Sequence, residues 1–283
     1  MKPYFAPPEY HTPADYRAPL LHRLLPRAVS FYSGVLRCIV RAQYYAARGR
    51  FDQTELGNTS ALAIRLFERS GARFHITGLD QLATVPGGAV IIGNHMSSLE
   101  TFALPCLVIP WKPICFVIKD SLLRHPLFGA IMRAQTTVAV SRTNPREDLA
   151  AVLHGGERVL RDGCAFCLFP QSTRHVTFDE GKFNTLGVKV ARRAGAMVVP
   201  VALRTDYWGN GRLIKDMGPV GRCRDVHIAF GAPLSPELPQ AELHGRVVAF
   251  IRDRLAGWGV PTVGGAAAER PPATPGAAPE PPP

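Results

Sequence analysis

The chain has no run of roughly 18–20 uninterrupted apolar residues, the length a helix needs to cross a bilayer, so no transmembrane span is expected. The opening Met1-Lys2-Pro3-Tyr4-Phe5 lacks the apolar stretch and small-residue cleavage site of a secretory signal, which makes one an unexpected feature. Six cysteines (Cys38, Cys106, Cys115, Cys164, Cys167 and Cys223) show no disulfide-like spacing, so reduced thiols are expected. Cys164-Ala165-Phe166-Cys167 has the look of a redox or metal pair. However, residues three apart on a strand face opposite sides and no second ligand pair follows, so no metal site is expected. Acidic residues are scarce, 22 against 33 basic ones, and the resulting net charge of +11 calls for an anionic partner. Aromatic residues make up only 8% of the chain and are not interleaved with a basic stripe, which argues against nucleic acid and leaves an anionic membrane surface or acidic ligands. No serine sits in a Gly-x-Ser-x-Gly elbow, which weighs against a hydrolase built on one.

What the chain does have is a repeated alternation of short β-branched runs with helical patterns, over a length sufficient for a single core. The expected fold is therefore α/β: one layered domain with a mostly parallel or mixed sheet flanked by helices, spanning 71–260. Residues 1–19, rich in Pro and Tyr, are expected to be irregular. Residues 20–70 read as an N-terminal helical region. Within it Leu21, Leu24, Leu25, Ala28, Tyr32, Val35 and Ile39 keep a helical period among arginines 23, 27, 37, 41 and 48, and Pro26 begins or kinks the main helix. A basic amphipathic helix of this kind suits a membrane interface, although the same pattern also fits a helix packed on the core with a solvated basic face. From 261 to 283 Pro, Gly and Ala dominate, and a disordered tail is expected.

Chemistry concentrates in two segments. Gly88 to Gly93 reads as a buried strand, and Asn94-His95-Met96-Ser97-Ser98-Leu99-Glu100 follows it into a helix. On a regular helix, positions i and i+5 point about 140° apart. His95 and Glu100 therefore meet only if the histidine lies in the turn and the glutamate in the first helical turn, an arrangement that fixes an imidazole tautomer. The same residues also fit a capping box, with Ser97 at the N-cap and Glu100 reaching back to a backbone amide. The second segment, Leu168-Phe169-Pro170-Gln171-Ser172-Thr173-Arg174, ends another apolar run and places an arginine fork where a phosphate or carboxylate would be read.

Four blocks together resemble the glycerolipid acyltransferase superfamily, typified by lysophosphatidate acyltransferases. They are Asn94-His95 through Glu100, Val138-Ala139-Val140-Ser141-Arg142, Phe169 through Arg174, and Val198-Val199-Pro200-Val201-Ala202, in the family's order between about Gly71 and Gly231. The resemblance implies that His95 is a catalytic base and Glu100 its partner. It also implies that Arg142 and Arg174 hold the acceptor's anionic group with support from Lys119, and that Gln171, Ser172 and Thr173 line the acceptor site. The implied reaction moves a fatty acyl group from acyl-CoA or acyl carrier protein to a lysophospholipid, with no cofactor beyond that cosubstrate, on the cytoplasmic face of a membrane. Two departures stand out. Glu100 replaces the family's Asp at one extra methylene, keeping the charge. Gln171-Ser172 replaces Glu-Gly, and the loss of a carboxylate bears on which acceptor is used: lysophosphatidate, another lysophospholipid or a lyso-aminolipid. A rival reading makes Ser97, Ser98 or Ser172 the nucleophile of a hydrolase with His95 as its base.

Overall fold

A computed structural model describes residues 2–171, 173–212 and 215–264. Strand β1 (Glu9–His11) comes first, followed by helices α1 (Leu20–Leu24), α2 (Arg27–Ala46) and α3 (Gln53–Arg69). Strands and helices then alternate: β2 (Arg73–Thr77), β3 (Ala89–Gly93), α4 (Leu99–Val108), β4 (Ile114–Lys119), α5 (Gly129–Arg133), β5 (Thr137–Val140), α6 (Pro145–Arg161) and β6 (Ala165–Leu168). The remainder is β7 (Phe178–Asp179), α7 (Leu186–Ala194), β8 (Met197–Arg204), β9 (Asp225–Phe230), α8 (Gln240–Gly257) and β10 (Thr262–Val263). Local chemistry sets several of these boundaries. Asp52 caps α3 by accepting from the Glu55 amide, and Asn144 caps α6 ahead of Pro145 at its first position. Gly195 closes α7 at φ 62°, a conformation open to glycine without a Cβ penalty.

Eight strands form one mixed sheet in the order β1-β2-β9-β8-β3-β6-β4-β5. From β8 to β5 every pairing is parallel, whereas β9 runs antiparallel to β8 and β1 antiparallel to β2. The expected α/β layered fold is the one found, and the sheet is mixed. β3 lies at its centre and is buried at all five positions, as a parallel strand covered on both faces must be. Its Ala89 and Ile91 enter a core shared with α2, α3 and α4, while Val90 and Ile92 enter a second core shared with α6, α7 and α8. The helices of 20–70 are thus part of the covering layer, with Phe31, Ile64 and Phe67 fully buried. Cys167 packs into the first core and Cys164 into the second, which gives the Cys-x-x-Cys spacing a packing explanation.

Two termini depart from expectation. Glu9–His11, within the segment expected to be irregular, pairs with β2 from Glu9↔Thr77 to His11↔His75. Without it β2 would present a bare sheet edge, so three residues suffice to satisfy a row of backbone groups. At the other end, Thr262–Val263 pairs in parallel with β7, so structure persists past Pro261; residues 265–283, where the disordered tail was expected, lie outside the described residues. Pro26 separates α1 from α2, as the sequence suggested. One face of α2 buries Phe31, Val35, Cys38 and Ile39, while Val29, Leu36, Val40 and Tyr44 on other faces stay exposed beside Leu20, Leu21 and Leu24 of α1. Among the described residues no helix is long and apolar enough to cross a membrane.

The outer strands carry a cross-strand histidine ladder, His11 opposite His75 and His75 opposite His227. The His227 ring stacks on His75 at 4.8 Å and on Trp258 at 4.9 Å. Burial, then the neighbouring His75 and the Arg204 charge, push the His227 pKa down to about 4 from 6.5, against a smaller opposing pull from Asp225. The unfolded chain therefore binds this proton more readily than the folded one. Stability is complete above about pH 6.5 and declines as pH falls towards 4. Denaturant midpoints measured from pH 7.5 to 4.5 should fall, and His227→Gln should flatten that decline relative to wild type.

Candidate active site

Because β3, β6, β4, β5 and β8 run the same way, all five deliver their carboxyl ends to one edge of the sheet, the place where open α/β sheets form crevices. His95 follows β3, residues 169–174 follow β6, Lys119 ends β4, Arg142 follows β5, and Thr205 follows β8. Asn94 locks the first of these turns. Its side-chain amide donates to the Leu203 carbonyl at 2.7 Å and accepts from the Leu203 amide at 2.8 Å, extending the β3–β8 ladder by one side chain.

Glu100 is fully buried, and its two oxygens have separate partners. Oε1 accepts from the backbone amides of Met96 at 2.7 Å and Ser97 at 2.9 Å, and from the Thr205 hydroxyl at 2.6 Å. Oε2 meets Nδ1 of His95. Glu100 thus reaches back to the Ser97 amide, as the capping reading expected, although the helix N-cap is Ser98, while its other oxygen meets the His95 ring. Ser97 completes the turn by accepting from the Leu99 amide and donating to the Thr205 carbonyl. With three donors on Oε1, the carboxylate is the acceptor toward the ring, so Nδ1 is the nitrogen that donates and Nε2 is the one directed away from Glu100.

The loop after β6 fixes the other sides of His95. The Gln171 Oε1 accepts from the His95 amide at 2.6 Å, and the His175 amide donates to the His95 carbonyl at 2.9 Å. Phe169 stacks on the imidazole with centroids 4.6 Å apart and planes 10° from parallel. Asn184, just ahead of α7, holds this loop by donating to the Pro170 carbonyl at 2.5 Å. The buried Gln171 thus supports the backbone of His95, a geometry that also explains how a neutral amide serves at this position. Ser172 lies outside the described residues.

Arg174 is close by. Its guanidinium donates to Ser98 Oγ and to Asp216 Oδ1, the latter at 2.6 Å, while the Thr173 hydroxyl accepts from the Lys215 ammonium at 2.5 Å. Burial alone would raise the Asp216 pKa, but the Ser98 hydroxyl, Arg174 and the His95 imidazole outweigh it and hold the carboxyl below its ordinary value. Lys119 and Arg142 lie further along the same edge. With β6 and β4 intervening between β3 and β5, and strands about 4.8 Å apart, the Arg142 backbone stands roughly 14 Å from the end of β3. Neither side chain hydrogen-bonds to the His95 cluster among the described residues.

Arg142 has φ 62°, the left-handed region that favours glycine. Asp148 in α6 holds it there, accepting from the amides of Ser141 at 2.7 Å and Arg142 at 2.8 Å and from the Ser141 hydroxyl at 3.1 Å. Of the residues around the site, Asn94, Thr205, Asp148 and Asp216 were not singled out for roles by sequence. After β8, Tyr207 and Trp208 are buried core residues. Tyr207 donates to the Ser70 carbonyl at 2.8 Å, and Trp208 packs edge-on to Phe31 at 5.0 Å. Burial, then the Glu100 charge, push the Cys167 thiol well above its ordinary range.

A family model described as Acyltransferase matches residues 73–204, which contain all four sequence blocks. A 1-acyl-sn-glycerol-3-phosphate acyltransferase of Pseudomonas aeruginosa is 30% identical over 190 residues, covering 66% of this chain and 70% of that protein. One from Borreliella burgdorferi is 27% identical over 154 residues, covering 52% of this chain and 56% of that one. The crystal structure of the 1-acyl-sn-glycerophosphate (LPA) acyltransferase, PlsC, from Thermotoga maritima superposes with a TM-score of 0.62, over 84% of this chain and 96% of that chain. At 18% identity that likeness concerns the fold.

The Asp148 clasp predicts opposite responses to two substitutions. Arg142→Gly should stabilise the protein by about 0.5–1 kcal/mol by relieving the left-handed backbone. Asp148→Ala should destabilise it by about 1–2 kcal/mol by stripping three donors of their acceptor. Urea midpoints of the two variants should therefore move apart about the wild-type value.

Proposed function

The chain belongs to the acyltransferase family, and on that premise we propose that it transfers a fatty acyl group from an acyl thioester to the free hydroxyl of a lysophospholipid, with lysophosphatidate as the acceptor. The observation that supports this most is the His95–Glu100 pair, an imidazole with Nδ1 committed to a buried carboxylate and Nε2 left as a base. In the proposed step Nε2 takes the proton of the acceptor hydroxyl while that oxygen attacks the thioester carbonyl. The tetrahedral adduct then expels the thiolate, and the imidazolium returns the proton to sulfur. Glu100 balances the imidazolium charge at the moment it forms. Thr205 and the two backbone amides on Oε1 keep the carboxylate from swinging away, so the base is aimed before substrate arrives. Arg174 holds the acceptor's anionic group, with Arg142 and Lys119 further along the same edge adding positive charge to that anion site. Acyl-CoA or acyl carrier protein serves as donor, and no other cofactor is required.

The hydrolase reading is less well supported by the geometry. Ser97 is buried and gives its hydroxyl to Thr205, and Ser98 is engaged by Arg174 and Asp216, so neither presents a hydroxyl to His95; Ser172, the third candidate, lies outside the described residues.

The acceptor also accounts for the unusual N-terminal surface. Leu20, Leu21 and Leu24 are exposed by two-thirds or more of their area, and Val29, Leu36 and Val40 by about half. Arg23, Arg37 and Arg48 of the same segment are exposed as well, and exposed apolar and basic side chains together suit a surface of anionic headgroups. The proposed location is therefore peripheral or monotopic, on the cytoplasmic face of the cell membrane. Leu24→Asp combined with Val40→Asp should leave the thermal midpoint within a few degrees of wild type and abolish sedimentation with phosphatidylglycerol vesicles. Undiminished sedimentation would assign membrane contact elsewhere.

The catalytic reading is tested by acyl transfer from a labelled acyl thioester to lysophosphatidate in detergent solution. His95→Ala should lose about 10²–10⁴-fold in kcat with the fold intact by circular dichroism. Glu100→Gln should fall between that variant and wild type. Wild-type turnover by either variant would contradict the mechanism.

A further inference from the structure

The loop between β8 and β9 reaches over the active-site edge and is secured at several points. The Asn210 side chain donates to the Met96 carbonyl at 2.9 Å, the Gly209 amide to the Pro219 carbonyl at 2.8 Å, and the Tyr32 hydroxyl to the Gly218 carbonyl at 2.6 Å. Between these anchors Asp216 projects its carboxylate onto Arg174. Oδ1 accepts from the guanidinium at 2.6 Å and from Ser98 Oγ, which is itself in contact with Arg174. Arg174 is only 17% exposed whereas Asp216 is 57% exposed, so the carboxylate approaches the guanidinium from the solvent side. Through Ser98, three residues after His95 in the same turn, Asp216 is tied to the segment that carries the base.

We propose that Asp216 is a specificity-determining residue of the acceptor site: its carboxylate stands where an acceptor's anionic group would bind Arg174, and it screens acceptors by charge. This rests on the acyltransferase reading given above. A phosphate monoester, carrying close to two negative charges, can reach Arg174 only by displacing Asp216 or by lying against it, like charge to like charge. A zwitterionic head group pays less of that repulsion, because its ammonium can stay beside Asp216 while its phosphodiester meets Arg174. The pair Arg174–Asp216 thus offers a cation and an anion side by side, which narrows, without abolishing, the preference for a phosphate monoester that Arg174 alone would give. Ser98, at the start of α4, donates to the carboxylate and holds it in that position. No covalent step involves Asp216. Because half-exposed ion pairs contribute little individually, the expected effect of removing the charge is modest, a factor of about 5–10 in KM.

The test compares wild type, Asp216→Asn and Arg174→Ala in uncharged detergent micelles, using lysophosphatidate and lysophosphatidylethanolamine as acceptors. Asp216→Asn keeps the size and hydrogen bonds of the side chain. It should raise the ratio of kcat/KM for lysophosphatidate over lysophosphatidylethanolamine about 5–10-fold, through KM, with kcat little changed. Arg174→Ala should lose activity on both acceptors. A ratio unchanged within twofold, or one that falls, would overturn the proposal. If wild type acylates neither lipid, the acyltransferase reading fails, and the charge screen is then read without turnover, by calorimetric titration with sn-glycerol 3-phosphate. Asp216→Asn should bind this probe about 5–10-fold more tightly than wild type, and the double variant Asp216→Asn/Arg174→Ala should bind it no better than wild type. Equal or undetectable binding by wild type and Asp216→Asn would overturn the proposal on that readout.

Discussion

The carboxylate of Glu100 is a buried group with four donors around it, and most of the active-site edge is organised by where those donors come from. Two are amides of the turn in which Glu100 itself sits, one is the Thr205 hydroxyl at the end of β8, and one is the His95 ring. A buried carboxylate is costly unless each oxygen is satisfied, so this arrangement cannot be loosened at one point without penalty at the others. The turn, the base and the neighbouring strand are held in one geometry by a single side chain. Asn94 repeats the same logic one residue before His95 by bonding both backbone groups of Leu203. The turn before α4 and the end of β8 are consequently tied together by side-chain bonds.

The parallel run of strands extends that constraint along the sheet. It brings β6 alongside β3, so the loop carrying Phe169, Gln171 and Arg174 begins one strand spacing from the base. Phe169 covers an imidazole face, Gln171 takes the His95 amide, and Arg174 faces the start of α4 through Ser98. The extra methylene of Glu100 and the neutral Gln171 are both accommodated here, since each is used to hold His95 in place. Arg174, at the end of the same loop, pairs instead with Asp216.

What could be read from the residues in order was what depends on local spacing. The five-residue separation of His95 and Glu100 carries its own geometric condition, and the helix start meets it. The strands β3, β4 and β8 announce themselves as β-branched runs, and Cys164 and Cys167 take opposite faces because a strand alternates. Thr205 and Asp216 were not readable, because their partners in the segment after β3, Glu100 and Ser98, lie more than 100 residues away and no local pattern marks a hydroxyl or carboxylate for that use. The left-handed backbone of Arg142 escaped notice for a related reason: glycine would have advertised it, whereas an arginine held by Asp148 does not. β1 is too short to show periodicity, and its pairing follows from the needs of β2.

The claim on which the account stands is that Glu100 fixes His95 as the Nδ1–H tautomer, with Nε2 free to accept a proton. The most direct measurement is the imidazole nitrogen chemical shifts of His95, from long-range ¹H–¹⁵N spectra of histidine-labelled protein at pH 8, assigned by comparison with His95→Gln. The account predicts a pyrrole-type Nδ1 and a pyridine-type Nε2, with that tautomeric preference weakened in Glu100→Gln. A pyridine-type Nδ1 with the proton on Nε2 in the wild-type protein would contradict it, since the ring would then turn a lone pair toward the buried carboxylate and leave no base facing the acceptor.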